Sequence, residues 1–225
     1  MKKQHKEPNA QLVRVFARYM LDYYGLEVVQ KSDSRFMRLL AWFLNLIGVM
    51  DKKQFLEKAS TVIGNKLYLP FVIGEDPDNW AFSKQISIIA HECQHRVQRI
   101  EDGKAFNYRY LFSSSRRAAY EADAYRVNLE LYFWYTGHLL NISAIAEAIK
   151  ENYGCTSNDS AMAKKMLERS ARLVVRGLIV SKATKVAMEW IRDNAADYER
   201  KGHKDIVPLR FTTGATDEKT NSDDF

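Results

Sequence analysis

Residues 80–100, WAFSKQISIIAHECQHRVQRI, decide the fold, and residues 113–135, SSSRRAAYEADAYRVNLELYFWY, complete it. On a helical wheel the first segment gathers Ile86, Ala90, Cys93, Val97 and Ile100 into an apolar stripe, with His91 and His95 on nearly the opposite side. Two imidazoles four positions apart on one helix project together and can grip a single metal ion. Glu92, beside the first of them, is then placed as a general base toward a metal-held water. Core histidines would share the apolar stripe, which these do not; two solvated surface histidines are the remaining alternative. Cys93 lies on the stripe and reads as packing.

A catalytic zinc needs a third protein ligand and an open position. Glu121 is the candidate. Its neighbours in angle on the second helix are Ala118, Ala122, Tyr125, Asn128, Leu129 and Tyr132, and a carboxylate on such a face is costly unless paired or metal-bound. Ala118 and Ala122 would let two helices approach closely. The alternative for Glu121 is an ion pair with Arg117 at i−4. Glu130 shares a face with Asp123 and Arg126 and reads as an ordinary solvated side. Glu101, near the end of the histidines' own helix, reaches poorly.

Outward from these two helices, TVIGNKLYLPFVI (61–73) is rich in β-branched and aromatic residues, and Gly64-Asn65 can turn the chain. Pro70 cannot donate to a ladder, so Asn65–Phe71 is expected to be an edge strand that pairs with extended substrate through Leu67, Tyr68 and Leu69. GEDPDN (74–79) reads as a turn with helix-capping chemistry. Helices are further expected over 10–24, 36–50, a short stretch from Asp51, 141–152, and about 160–197. Residues 201–225 read as a polar, flexible tail. The expected fold class is α+β and mainly α-helical, a single domain over 1–200 whose catalytic part spans about 55–136, with helical extensions on both sides.

Composition narrows the partners. Lys and Arg number 34 against 28 Asp and Glu, a net charge of +6, but the cations are interspersed with acids, so no nucleic-acid stripe is expected. The 36–50 stretch, FMRLLAWFLNLIGVM, is short of the roughly 20 residues a spanning helix needs. It reads as a buried or domain-capping helix, with weak membrane-surface association as the alternative. Two cysteines make no disulfide framework. No uninterrupted apolar stretch follows Lys2, Lys3 and Lys6, so a cytoplasmic location is expected.

A strand, an HExxH helix and a Glu on the following helix together resemble the gluzincin class of zinc metallopeptidases, over about residues 55–136. The small minigluzincins and the CAAX-protease-like family come nearest. The resemblance implies a zincin-like domain with an edge strand at 65–73, Zn²⁺ held by His91, His95 and Glu121, and hydrolysis of a peptide or protein substrate with Glu92 as base. Thermolysin-like members carry an Asp four residues after the liganding Glu, where this chain has Tyr125. The CAAX-protease-like pattern has a Glu where this chain has Ala119, four residues before Asp123. Tyr125 is placed by angle to hydrogen-bond His91; Asp123 would serve another neighbour. For the oxyanion donor, Tyr108, Tyr110, Tyr132, Tyr135, Tyr153, His138 and His203 stay open. The alternative to an enzyme is a helical scaffold or interaction protein that retains the metal site. A hydrolase of non-peptide amides is a third reading, although neither Cys93 nor Cys155 is placed as the cysteine ligand such deformylase-type sites use.

Overall fold

The computed structural model describes residues 8–46, 52–195 and 210–211. In chain order the elements are α1 (Ala10–Tyr24), β1 (Glu27–Gln30), α2 (Arg35–Leu46), α3 (Lys52–Glu57), β2 (Thr61–Ile63), β3 (Lys66–Leu69) and α4 (Phe82–Asp102). There follow α5 (Ala105–Phe112), α6 (Ser114–Thr136), α7 (Ile142–Tyr153), α8 (Ser157–Val175), β4 (Leu178–Ile179), α9 (Lys182–Asn194) and β5 (Arg210–Phe211). The chain is mainly α-helical with a small three-stranded sheet, the α+β class expected. No helix among the described residues is long and apolar enough to cross a membrane.

Local chemistry sets the helix ends. Asn9 caps α1 by accepting the Leu12 N–H at 2.8 Å, and Gly25 closes it at φ +61°. Ser113 caps α6 and Gly137 ends it in the left-handed region. The start of α4 departs from expectation, because Ala81 precedes it and no side chain caps it. Gln85, one turn inside, takes over: it accepts the Gly74 N–H and donates to Glu75 O and Trp80 O, binding the 74–80 turn to the helix.

Helix α4 runs through the centre. Its Ile89, Ala90 and Cys93 pack with Phe16 and Met20 of α1, Leu67 and Leu69 of β3, and Ala187 and Met188 of α9. Its other flank meets α6. Ala118 and Ala122 do permit close helix packing, but against α7 and α8, where they join Ile149, Ala163 and Leu167.

The sheet corrects the expected edge strand. Its order is β1-β3-β2, with β1 parallel and β2 antiparallel to β3, so Lys66–Leu69 is the central strand with both ladders filled. Leu67 and Leu69 face the α1/α4 core, while Tyr68 faces Met37, Ala41 and Phe55 on the opposite side. A strand covered on both faces reads as a continuous apolar run, and Pro70 marks its end. Leu67, Tyr68 and Leu69 therefore have no free edge to offer a substrate. The turn at Gly64-Asn65 forms as expected, joining β2 to β3.

Three further differences matter. The single helix expected over 160–197 is broken into α8, β4 and α9, because Gly177 takes φ +77° and the β-branched stretch after it leaves the helix. Residues 101–112, between the two long helices, contain α5. Only one stripe of α2 is buried, through Met37, Ala41 and Leu44; residues 47–50 of that expected helix lie outside the described residues. Of the expected tail, Arg210–Phe211 pairs in parallel with β4, and the rest lies outside the described residues.

Candidate metal centre

His91, Glu92 and His95 sit at the middle of α4, all three buried. Glu121, on α6, is buried beside them. Among the described residues, His91, His95 and Glu121 form a group whose ligand atoms lie within 4.8 Å of one another and could hold a metal ion.

Hydrogen bonds decide which atoms face the centre. Asn128 donates through Nδ2 to Ser87 Oγ at 2.7 Å, so its Oδ1, 2.7 Å from His91 Nδ1, is the acceptor. Gln98 likewise donates through Nε2 to Tyr120 O and Asp123 Oδ2, leaving Oε1 to accept from His95 Nδ1 at 2.9 Å. By this network each ring carries a hydrogen on Nδ1 and turns its Nε2 toward Glu121. That is the arrangement metal-ligating histidines adopt. On Glu121, Tyr110 donates its hydroxyl to Oε1 at 2.6 Å, while Oε2 is buried without a hydrogen-bond partner.

The spacings fit a metal better than hydrogen bonds. His95 Nε2 lies 3.5 Å from Glu121 Oε1, and His91 Nε2 lies 3.7 Å from Oε2, both beyond direct N–H···O contact. Two N or O ligands on a tetrahedral zinc stand about 3.4 Å apart, given bonds near 2.1 Å. Arg117, the alternative partner for Glu121, instead donates to the carbonyls of Tyr110, Leu111, Tyr153 and Gly154.

Two placements differ from expectation. Tyr125 does not hydrogen-bond His91; it packs edge-on against that ring at 5.0 Å, and Asn128, one turn further along α6, makes the bond. Glu130 is buried rather than solvated, accepting the Val180 and Ser181 N–H groups at the start of α9. Asp123 accepts from Gln94 and Gln98, so it reaches His95 only through Gln98. Cys93 is fully buried in the core, as its place on the stripe suggests.

Two hollows meet at the centre. One, of about 270 Å³, is walled by apolar side chains such as Phe36, Leu40, Phe55 and Val62, and reaches His95 and Glu121. The other, of about 720 Å³, is more polar, with Glu57, Lys58, Asp76 and Lys84 around His91. Ala59, Ser60, Glu92 and Tyr153 line both. Glu92 Oε2 is buried there with no hydrogen-bond partner. The segment carrying Ala59 and Ser60 is held by Lys31, whose buried ammonium donates to Phe55 O, Ala59 O and Thr61 Oγ1. Burial lowers its pKa to about 7, against the opposing pull of Glu92. Nothing in the KSDS turn around Lys31 announces this role.

Charge on the ligands is coupled. Burial alone would lower the His95 pKa, but the Glu121 carboxylate outweighs it and holds the imidazole near 9. Burial opposes ionisation of Glu121, yet His95 and then His91 keep its carboxyl well below the ordinary range. The Tyr110 hydroxyl, pushed far up by burial and then by Glu121, stays protonated as a donor.

A pH dependence follows for chelator-treated protein. The folded pKa of His95 lies above its unfolded value of about 6.5, so its stabilisation is complete below that pH and is lost as pH rises through about 9. The Glu121 contribution runs the other way, vanishing only in acid. Lys31, whose folded pKa is lowered to about 7, acts in the opposite direction above pH 7, so the His95 contribution is read against Glu121→Gln. In EDTA, wild type should lose stability relative to that variant as pH rises from about 6.5 to about 9. A stability difference between wild type and Glu121→Gln that is flat or grows over that interval would remove the His95–Glu121 pairing.

No family model, curated protein or solved structure matches this chain.

Proposed function

We propose that this chain is a zinc-dependent metallopeptidase, with His91, His95 and Glu121 as ligands and Glu92 as general base. One observation carries the reading. Both Nδ1 atoms are engaged by amide oxygens, both Nε2 atoms turn toward Glu121, and beside them the buried Glu92 Oε2 has no protein partner. A purely structural site has no use for such a carboxylate. The resemblance to gluzincins belongs to this proposal, and so does the zincin-like description of the domain.

Zinc, when bound, supplies a Lewis acid that activates water and polarises the scissile carbonyl. The chain's residues do the rest. Glu92 takes the proton from the attacking water and returns it to the leaving nitrogen. Asn128 and Gln98 hold the two rings in their tautomers, and Tyr110 fixes Glu121 so that Oε2 stays available. Tyr153 lines both hollows with Glu92 and is our candidate donor to the developing oxyanion, its hydroxyl also meeting Tyr125. Tyr110 is already committed to Glu121, while Tyr108 and Tyr132 are exposed.

The substrate strand moves from β3 to β2. Among the described residues β2 pairs only with β3, and Thr61, Val62 and Ile63 line the apolar hollow. An extended peptide can add to that edge and place an apolar side chain beside Phe55 and Leu40. A reducing, cytoplasmic setting goes with the two unpaired, buried cysteines.

Metal analysis beside an activity assay tests the reading. Wild type should purify with about one zinc and cleave peptides in a chelator-sensitive way; His95→Ala should lose both. Wild type that binds no zinc, or cleaves equally well in chelator, ends the proposal.

A further inference from the structure

Helix α2 is apolar on two opposite sides. Met37, Ala41 and Leu44 are buried, while Phe36, Leu39, Trp42, Phe43 and Leu46 point outward. Leu39 and Leu46 are each 65% exposed and Trp42 is 55% exposed. At about 100° per residue the outward side chains form one stripe opposite the buried one, with Arg35 at its N-terminal end and Arg38 at its margin. Leaving so much apolar surface in water is costly unless something covers it.

The charges around the stripe say what that is. Arg35–Leu46 contains no acid, and Arg35 and Arg38 are both exposed. Asp33, just before the helix, is exposed as well. Trp, Phe and Leu on one face with Arg beside it is the composition of a helix lying in a membrane interface. A second helix repeats the chemistry: α5 lines the same hollow as α2 and exposes Tyr108 and Phe112 at 68% and 69%.

We propose that α2 docks this chain on an anionic lipid surface, its outer stripe entering the headgroup boundary beside the flanking cations. Phe36, Leu40 and Leu44 also wall the apolar hollow at His95 and Glu121. Docking therefore brings that hollow to the lipid surface, where substrates with apolar segments collect. The docking itself does not depend on the peptidase reading; loss of zinc or of hydrolysis leaves vesicle binding in place.

Flotation of the full chain with phosphatidylcholine vesicles, with and without phosphatidylglycerol, tests it. The chain should float with the anionic vesicles, less so at high salt. Its tryptophan emission should shift blue, since Trp42 is exposed whereas Trp134 and Trp190 are buried. Leu39→Ser with Trp42→Ser should weaken partition at least about tenfold. Arg35→Gln with Arg38→Gln should weaken it by roughly fivefold per cation removed. All four side chains are exposed, and unchanged melting temperature and zinc content will show that the variants fold. If one pair misfolds, Arg35→Gln alone supplies the electrostatic comparison. Failure of wild type to float with anionic vesicles overturns the proposal, as does a serine variant that floats like wild type. Self-association abolished by the serine pair, without flotation, assigns the stripe to a second copy instead.

Discussion

Glu92→Gln should purify with near-stoichiometric zinc and hydrolyse peptides about a thousandfold more slowly than wild type. The substitution keeps the shape of the side chain and removes only its capacity to accept a proton. Glu92 lies outside the ligand group of His91, His95 and Glu121, so metal content has no reason to change. Its Oε2 is buried with no protein partner, so no internal hydrogen bond to that atom is lost. A melting temperature close to wild type will show that the variant folds. The loss should fall on kcat rather than KM, because the proton moves only in the chemical step. Activity within about tenfold of wild type would show that another group serves as base.

Glu121→Ala should cost more zinc affinity than any other carboxylate substitution in the chain. It removes a ligand, so the loss should exceed the ten- to hundredfold typical of changes one shell further out. Asp123→Ala belongs to that outer class. Its Oδ2 accepts the amides of Gln94 and Gln98, and only Gln98 passes the effect on, through His95 Nδ1. Glu101→Ala should leave zinc unchanged, since Glu101 meets Lys182 on the surface. Glu130→Ala separates stability from metal binding. It strips the acceptor from the Val180 and Ser181 N–H groups, costing about 1–3 kcal/mol of stability, with zinc affinity intact. Competition titrations with a chromophoric chelator rank all four. Equal affinity in Glu121→Ala and wild type, with loss in Asp123→Ala, would move the ligand two positions along α6 and overturn the centre described above.

How far each feature was legible follows from the range over which its cause acts. The i, i+4 histidines, the Glu between them, the boundaries of α1 and α6, and the turn at Gly64-Asn65 rest on backbone geometry and caps within a few residues. Those could be read directly. Glu121 could be read too, because a carboxylate on an apolar helical face needs a partner whatever surrounds it. The central position of β3 could not. It follows from β1, almost forty residues earlier, returning parallel to it after α2 and α3, and Glu27–Gln30 is too short and too polar to declare itself a strand. Nor could the choice of Asn128 over Tyr125 as the partner of His91. Both lie on the face of α6 that can reach α4, and which one meets Nδ1 depends on the crossing of the two helices. Glu130 looks solvated in sequence because it shares a helix face with Asp123 and Arg126, and Lys31 because it stands in the polar stretch KSDS. They are buried by elements that dock from far away, where backbone carbonyls and N–H groups left over by α3, β2 and α9 need partners. Sequence by itself determined the local helical display of His91, Glu92, His95 and Glu121. Only tertiary structure decided which Nε2 and carboxylate atoms converge, which strand keeps a free edge, and which polar side chains hold them, because those depend on long-range docking that satisfies buried polar groups.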